Sequence, residues 1–301
     1  MEPEIRSTAD SNLNVHSFEN TEQIFFELAS EQRLSIMFRL MADDQRNNTA
    51  NLSKLAKDLN VTIQEAHRNV NRLMDSGLIE KNSQGLFFLT TFGKTIIKQI
   101  LTFDFLSRNK EYFSEHTLGK ETPMKFIQRI GALNNCELIQ GIVAVIETLK
   151  QRLYKESMEY IYGMLPQIPL DLIEAVIPKI RDDRINFHYI LPQKAIVPKK
   201  RIDLLKNAGF YELLDKKKRQ KEEEGVAYEG PIQRRMVNKI NVAIILNEKQ
   251  AAVMFPTLKG DIDMNSMFYS VDPLFHEWCL DYFRYWWYNS RTFDESKLLE
   301  V

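Results

Sequence analysis

The stretch at 51–93, NLSKLAKDLNVTIQEAHRNVNRLMDSGLIEKNSQGLFFLTTFG, constrains the fold more than any other part of the chain. Leu52, Leu55, Ala56 and Leu59 recur at i, i+3, i+4 and i+7, which places one apolar stripe on a short helix. Asn60 and Val61 break it. Thr62 is placed to cap a second helix, with Glu65 three residues on as its capping-box partner. Ile63, Ala66, Val70, Leu73 and Met74 share one face of that helix. Gln64, Glu65, Arg68, Asn71, Arg72 and Asp75 point outward, with His67 and Asn69 on the flanks. Gly77 is a natural residue for the helix end, and Leu78 and Ile79 open a strand. A turn over Lys81, Asn82, Ser83, Gln84 and Gly85 then leads to a second strand at 86–89. Two helices, a turn and a hairpin in this order are the plan of a winged helix-turn-helix.

The outward residues have the chemistry that double-stranded DNA calls for. Arginine binds guanine O6 and N7 bidentately, and glutamine or asparagine matches adenine N6 and N7 in the major groove. Gln64, Arg68, Asn69 and Arg72 are therefore expected to face bases, with Thr62, His67 and Asn71 on the same surface. Glu65 has two uses open to it, accepting from a cytosine amine or closing the capping box, and its spacing from Thr62 favours the cap. Lys81, Asn82, Ser83 and Gln84 at the hairpin tip suit phosphate or minor-groove contact, and Lys94 and Lys98 follow on the next helix. The alternative is a winged helix that binds protein without reading DNA sequence. The polar outer face argues against it, because partner-helix contacts usually demand an apolar one.

Charge supports the same reading locally and not globally. The whole chain balances 40 Lys and Arg against 41 Asp and Glu. Residues 51–110 carry nine basic and five acidic side chains, a net of +4. That is modest for phosphate contact, so a homodimer is expected, doubling the contacts and presenting two helices to half-sites about one DNA turn apart. With 301 residues, a second domain with its own core is required. Two cysteines, Cys136 and Cys279, no signal peptide and no long apolar run give the expectation of a cytoplasmic protein that does not enter a membrane.

The expected domains are a disordered lead-in at 1–19, the winged helix at 20–114, a linker at 115–123, and an α/β domain at 124–295. Apolar residues at 20–42 describe the winged domain's first helix, interrupted near Ser30, and 95–113 reads as one long helix. Beyond the linker, 137–157 reads as a helix and 158–162 as a strand ending at Gly163. A helix follows at 170–181, doubtful past Pro178, and then a strand at 185–191. Helix alternating with strand predicts two neighbouring parallel strands. Short strands at 233–237, 240–246 and 251–255 complete a sheet of about five. Asp272 and Pro273 open a closing helix whose residues 275–288 hold eight aromatics. Phe275, Trp278, Tyr282 and Trp286 form a stripe for the sheet. Phe283, Trp287 and Tyr285 then need a different partner, a subunit or interdomain contact in preference to a ligand cage.

The phrase GLIEKNSQGLFFLTTFGK resembles the winged helices of archaeal and bacterial MarR and ArsR-like regulators. They commonly show Gly-Leu-Ile or Gly-Leu-Val after the recognition helix and a wing closing with Leu-Thr-x-x-Gly, here Leu89, Thr90, Thr91, Phe92 and Gly93. The resemblance implies that the long helix after the wing carries dimer contacts. The second half is similar to the middle sensor domain of archaeal methanogenesis regulators, on the strength of Gly260, Asp261, Asp263, Phe268, Tyr269, Ser270, Asp272, Phe275, Trp278 and Trp286. Residues 201–229 match little of it. The domain also resembles the degenerate phospholipase D-like sensors of archaeal sugar-responsive regulators. Catalysis in that superfamily needs His-x-Lys-x4-Asp, whereas His188 is followed by Tyr189 and Ile190, so the resemblance implies sensing of an effector without catalysis.

An effector pocket is expected beyond the carboxyl ends of the parallel strands, at Tyr162, Gly163, Gln167, Pro192, Gln193 and Lys194. The basic run Lys216, Lys217, Lys218, Arg219 and Lys221 suits a nucleic-acid patch or a solvated helix, and solvated runs are the commoner kind. His276 and Cys279 stand at i, i+3 but lack a third metal ligand at a recognisable spacing. No glycine-rich phosphate loop or nucleophile elbow is present, so neither a cofactor nor enzymatic activity is expected.

Overall fold

The computed structural model describes residues 18–45, 50–167, 170–181, 185–197, 203, 205–207, 232–294, 296 and 299–300. The expected lead-in, up to residue 17, and the charge run at 216–224 lie outside the described residues. The chain divides into two compact units, Met1–Ile100 and Leu101–Val301.

In the first unit the apolar stretch near the start folds as two helices, α1 (Glu19–Leu28) and α2 (Glu31–Gln45), broken beside Ser30 as the sequence predicts. Arg33 closes the end of α1. Its Nε donates to the Glu27 carbonyl at 2.6 Å and its Nη2 to the Phe26 carbonyl at 3.0 Å, so a cation meets the negative end of the helix. Helix α3 (Leu52–Asp58) starts at Asn51, whose side chain accepts from the Lys54 N–H, and ends at Asn60 in the left-handed region with φ 52°. Helix α4 (Ile63–Asp75) then closes on Gly77, where the Leu78 N–H donates to the Leu73 carbonyl and the Gly77 N–H to that of Met74. That sharp exit leads straight into β1 (Ile79–Lys81), which pairs antiparallel with β2 (Phe87–Leu89), Ile79 opposite Leu89. Ile36, Met37, Leu40, Leu55, Val70, Leu73, Leu78, Leu89 and Ile97 form the core beneath.

Helix α5 (Thr91–Arg108) is shorter than the expected 95–113 helix. It is followed, after Asn109, by α6 (Lys110–Glu115). The boundary between the units falls at Ile100, inside α5, and not in the expected linker. The reason is packing. Phe105, Tyr112 and Phe113 belong to the core of the second unit, where Phe105 lies 5.5 Å from Phe268 and Tyr112 meets the same ring edge-on at 4.9 Å.

The second unit is built on an eight-stranded mixed sheet. Its strands are β3 (Glu137–Gln140), β4 (Tyr160–Met164), β5 (Asn186–Pro192), β7 (Ile232–Val237), β8 (Ala243–Asn247), β9 (Ala251–Met254), β10 (Ser266–Ser270) and β11 (Arg291–Thr292), in the spatial order β11-β7-β5-β4-β8-β9-β10-β3. A separate parallel pair joins β6 (Ile196–Val197) to β12 (Leu299–Glu300). The expected parallel neighbours are β4 and β5, with Tyr162 opposite His188, and β7 adds a third parallel strand. The hairpin of β8 and β9 is also as expected. The expectation of about five strands falls three short, missing β10 and β3 at one edge and β11 at the other. Residues 137–140 are strand β3, not helix, and the helix α8 (Ile142–Thr148) begins only after Gly141 at φ 98°. Leu138 and Ile139 merge with the helical stripe of Ile142 and Val145, which hides the change of period.

Helix α8 continues as a π-helical turn (Leu149–Lys155) and packs with α9 (Leu170–Arg181), which runs past Pro178 to Arg181. Every residue of β8, β9 and β10 is buried, so both faces of the sheet centre are covered. The cover on one face is α10 (Pro273–Tyr288), capped by Asp272. Its aromatic residues do not divide as expected. Phe283 stacks on Tyr162 at 5.0 Å and Trp287 on His188 at 5.1 Å, so these two lie on the sheet. Trp278, Tyr282 and Tyr285 instead meet Phe126 of α7 (Met124–Gln128). Phe275, Trp278, Tyr282 and Phe283 are buried within the unit, while Tyr285, Trp286 and Trp287 remain half-buried. Among the described residues no helix is long and apolar enough to cross a membrane.

Candidate nucleic-acid interface

Helix α4 is held at its start by a complete capping box. The Thr62 hydroxyl accepts from the Glu65 N–H at 3.2 Å, and the Glu65 carboxylate accepts from the Thr62 N–H at 3.0 Å. These bonds hold the Glu65 carboxyl below its ordinary range, the backbone bond from Thr62 being the larger cause. Both side chains are thus occupied in fixing the helix end, which takes Thr62 out of the base-reading set and resolves Glu65 as the cap.

The remaining candidates on α4 divide by burial. Gln64, His67 and Arg68 are exposed, and Asn71 is half-buried with its Nδ2 3.3 Å from His67 Nδ1. Ile63, expected on the face shared by Ala66, Val70 and Leu73, is instead 57% exposed at the first turn. Asn69 is different. It is 4% exposed and donates to Gln32 Oε1 at 2.7 Å, joining α4 to α2, so it does not face bases. Position 69 falls on the edge of the apolar arc beside Ala66 and Val70, and the core claims it.

Arg72 is also committed elsewhere. Its Nε and Nη2 donate to the two carboxylate oxygens of Glu27 at 2.9 and 2.7 Å, and its guanidinium lies 5.1 Å from the centre of the Phe26 ring. Glu27 is buried and also faces Arg33 Nε at 3.2 Å. This two-pronged geometry makes Arg72 a clamp between α4 and α1 and not a free base reader. Hydrogen bonding from Arg72, opposed by burial and aided by the charge of Arg33, holds the Glu27 carboxyl below its usual 4.5. A carboxyl lowered in the folded state stabilises it above the unfolded value and loses that contribution as pH falls through the folded value. Glu27→Gln is therefore expected to lower the stability of the first unit at pH 7, and the gap to the native chain should close as pH drops below 4.5. Amide exchange across 52–93 from pH 7 to pH 3 checks this, and a gap that does not change with pH would dissociate Glu27 from it.

At the hairpin, Lys81, Ser83 and Gln84 are exposed. Asn82 is half-buried, and its Oδ1 accepts from the N–H groups of Gln84 and Leu86 at 3.0 and 2.9 Å, shaping the turn that carries them. Lys94 is half-buried in the first turn of α5. One short stretch of chain thus presents Gln64, His67, Arg68, Asn71, Lys81, Ser83 and Gln84 around a capped helix and a tight hairpin. Sequence reasoning missed Asn51 as a cap, although asparagine before an apolar run was the signal for it. It also missed Glu27, for which a buried carboxylate on an amphipathic helix leaves no signal.

In the second unit the expected effector residues divide between the body of the sheet and the carboxyl ends of the neighbouring strands β4 and β5. Tyr162 and Gly163 lie inside β4 and not beyond its end, because the strand runs on to Met164. Tyr162 is enclosed by Tyr160 at 4.3 Å, His188 at 4.9 Å and Phe283. Gln167 is exposed past the strand end, while Pro192, Gln193 and Lys194 form a turn in which the Gln193 N–H donates to the Val237 carbonyl. His276 and Cys279 are apart in role: His276 Nε2 lies 2.6 Å from the Asn247 carbonyl, and Cys279 is fully buried.

No family model matches the chain, and no curated protein matches it. Among solved structures it is similar to TrmBL2, an archaeal chromatin protein whose structure shows a novel mode of DNA binding. The identity is 12% over 92% of this chain and 100% of that one, with a TM-score of 0.35. An O-methyltransferase family protein from Burkholderia thailandensis gives 11% identity over 75% of this chain and 65% of that one, with a TM-score of 0.25. PigF with SAH gives 13% over 65% and 59%, with a TM-score of 0.23. At such scores these likenesses carry no argument about the fold or the function of this chain.

Proposed function

We propose that this chain is a DNA-binding transcriptional regulator whose first unit is a winged helix-turn-helix and which acts as a homodimer. Helix α4 enters the major groove, Gln64, His67, Arg68 and Asn71 meet base edges, and the hairpin serves as the wing, with Lys81, Ser83, Gln84 and Lys94 on phosphate. The observation that supports this most is the exposure of Gln64, His67 and Arg68 on a helix fixed by its own capping box. A rigid polar helix face with arginine at its centre is the form direct readout takes. The second unit is assigned the part of a sensor for a small molecule or partner, with no catalytic role.

The test is an anisotropy titration of the full chain against DNA from around its own gene at two salt concentrations. Native binding should weaken steeply with salt. Arg68→Ala should cost roughly tenfold or more in affinity, and Lys81→Ala should lower the salt slope by about one with little change in sequence preference. The arginine to test is Arg68 and not Arg72, since loss of Arg72 also releases the clamp to Glu27. A folded native chain that binds no DNA at low salt would move the assignment to a protein-binding adaptor.

A further inference from the structure

Helix α1 carries an apolar face that the other described residues of the first unit leave largely exposed. Phe18, Glu22, Phe25, Phe26 and Ala29 fall within one arc of the helix, and Phe18 and Phe26 are 68% and 64% exposed. Beside them lies a groove of about 550 Å³ lined by Glu19, Glu22, Gln23, Phe25, Phe26 and Ala29. Soluble chains rarely leave large aromatic side chains clustered in water without a use for them.

We propose that this face of α1 is the seat of a second copy of the same chain, docked as an antiparallel helix pair about a two-fold axis that passes between Glu22 and Phe25. The inference rests on the DNA-binding reading for its purpose and on the helix itself for its geometry. A two-fold contact uses one patch twice, so the patch must contain both knob and hole. Here it does, because the exposed phenylalanines and the groove that would receive them belong to one helix. The charges agree. Glu19 and Glu22 mark one end of the face and Arg72, over the Phe26 ring, marks the other. In an antiparallel pair Glu22 of one copy faces Phe26 and Arg72 of the second copy, and Phe18 reaches the small side chain of Ala29. A parallel pair would set glutamate against glutamate. The same Arg72 clamps α4, so this contact would tie the spacing of two recognition helices directly to the dimer.

Light scattering of the full chain over a range of concentrations tests the proposal. The native chain should be a dimer, and Phe26→Asp should raise the dimer dissociation constant by roughly a hundredfold or more, since each interface loses two aromatic anchors. Arg72 gives the new carboxylate a partner in the monomer, and unchanged amide protection across 52–93 would show that the unit remains folded. As a second variant, Glu22→Cys, at the centre of the arc and beside the two-fold, should form a disulfide-linked dimer on mild oxidation, and should fail to do so when combined with Phe26→Asp. A monomeric native chain, a Phe26→Asp chain that stays dimeric, or a dimer that Glu22→Cys does not cross-link would each overturn the proposal. The two readings fail separately. Native chain that binds DNA as a monomer removes the interface and leaves the DNA reading, whereas an α1-linked dimer that binds no DNA does the reverse.

Discussion

Gly93→Ala should destabilise the first unit by about 3 kcal/mol, the upper end of what overpacking costs. A Cβ at this position would lie 1.9 Å from the Leu78 carbonyl oxygen and 2.9 Å from its carbon. Both are backbone atoms, so no side chain can swing away to relieve the clash. The carbonyl cannot move freely either, because it accepts from the Thr90 N–H at 3.2 Å and from the Thr90 hydroxyl at 3.3 Å. The Thr90 hydroxyl in turn accepts from the Gly93 N–H at 2.9 Å, which makes Thr90 the cap of α5. Strand β1 and the start of α5 therefore meet at one point, and only glycine fits between them. For a unit of this size the loss corresponds to a fall in thermal midpoint of roughly 12 °C or more. Amide exchange across 52–93 in the native chain and the variant reads it directly. Equal protection in the two would show that α5 can slide away from β1 at little cost.

The same residue shows how much of the fold was legible in the sequence. Gly93 was visible as the end of a Leu-Thr-x-x-Gly phrase, but its reason, a helix start pressed against a carbonyl fifteen residues earlier, belongs to the folded chain. Local signals read well: the break at Ser30, the Thr62 to Glu65 box, the exit at Gly77, the hairpin over 81–85 and the Asp272 cap all depend on residues within one or two turns. Signals that depend on distant partners did not. Strand β3 lies between Asn135 and Gly141 and pairs with β10, more than 120 residues away, and nothing local separates Leu138 and Ile139 from the helical stripe that follows. The aromatic helix was legible as a helix, but periodicity alone cannot say which stripe meets the sheet.

The candidate site divides in the same way. Helical period placed Gln64, His67 and Arg68 outward, and they are exposed. Period also placed Asn69 and Arg72 near that surface, yet each is drawn to a partner on another helix, Gln32 for Asn69 and Glu27 for Arg72. Neither partner lies within 35 residues of its mate in sequence. A polar residue at the margin of an apolar arc serves the core or the solvent depending on what the neighbouring helix offers it. The sequence of one helix does not contain that information.

Trp278→Ala is expected to cost the second unit about 3–5 kcal/mol. Trp278 is fully buried, stacked on Tyr282 at 5.4 Å and meeting Phe126 edge-on at 5.6 Å, and its Nε1 donates to the Phe126 carbonyl at 3.1 Å. Truncation therefore removes two ring contacts, opens a cavity between α10 and α7, and leaves a buried carbonyl without its donor. Trp278→Phe separates these effects. It keeps most of the packing but not the N–H, and should cost about 1–3 kcal/mol, the penalty of an unsatisfied buried acceptor. Urea unfolding followed by circular dichroism would rank the native chain, Trp278→Phe and Trp278→Ala in that order, with amide protection lost first over 124–133. A Trp278→Ala midpoint equal to that of the native chain would mean that α7 is not held through this ring. The expected ranking would have a further consequence for sensing. If α10 is fixed on one side by Trp278 and on the other by the stacks of Phe283 on Tyr162 and Trp287 on His188, the space beneath it is filled by rings, and an effector would have to bind elsewhere on the second unit.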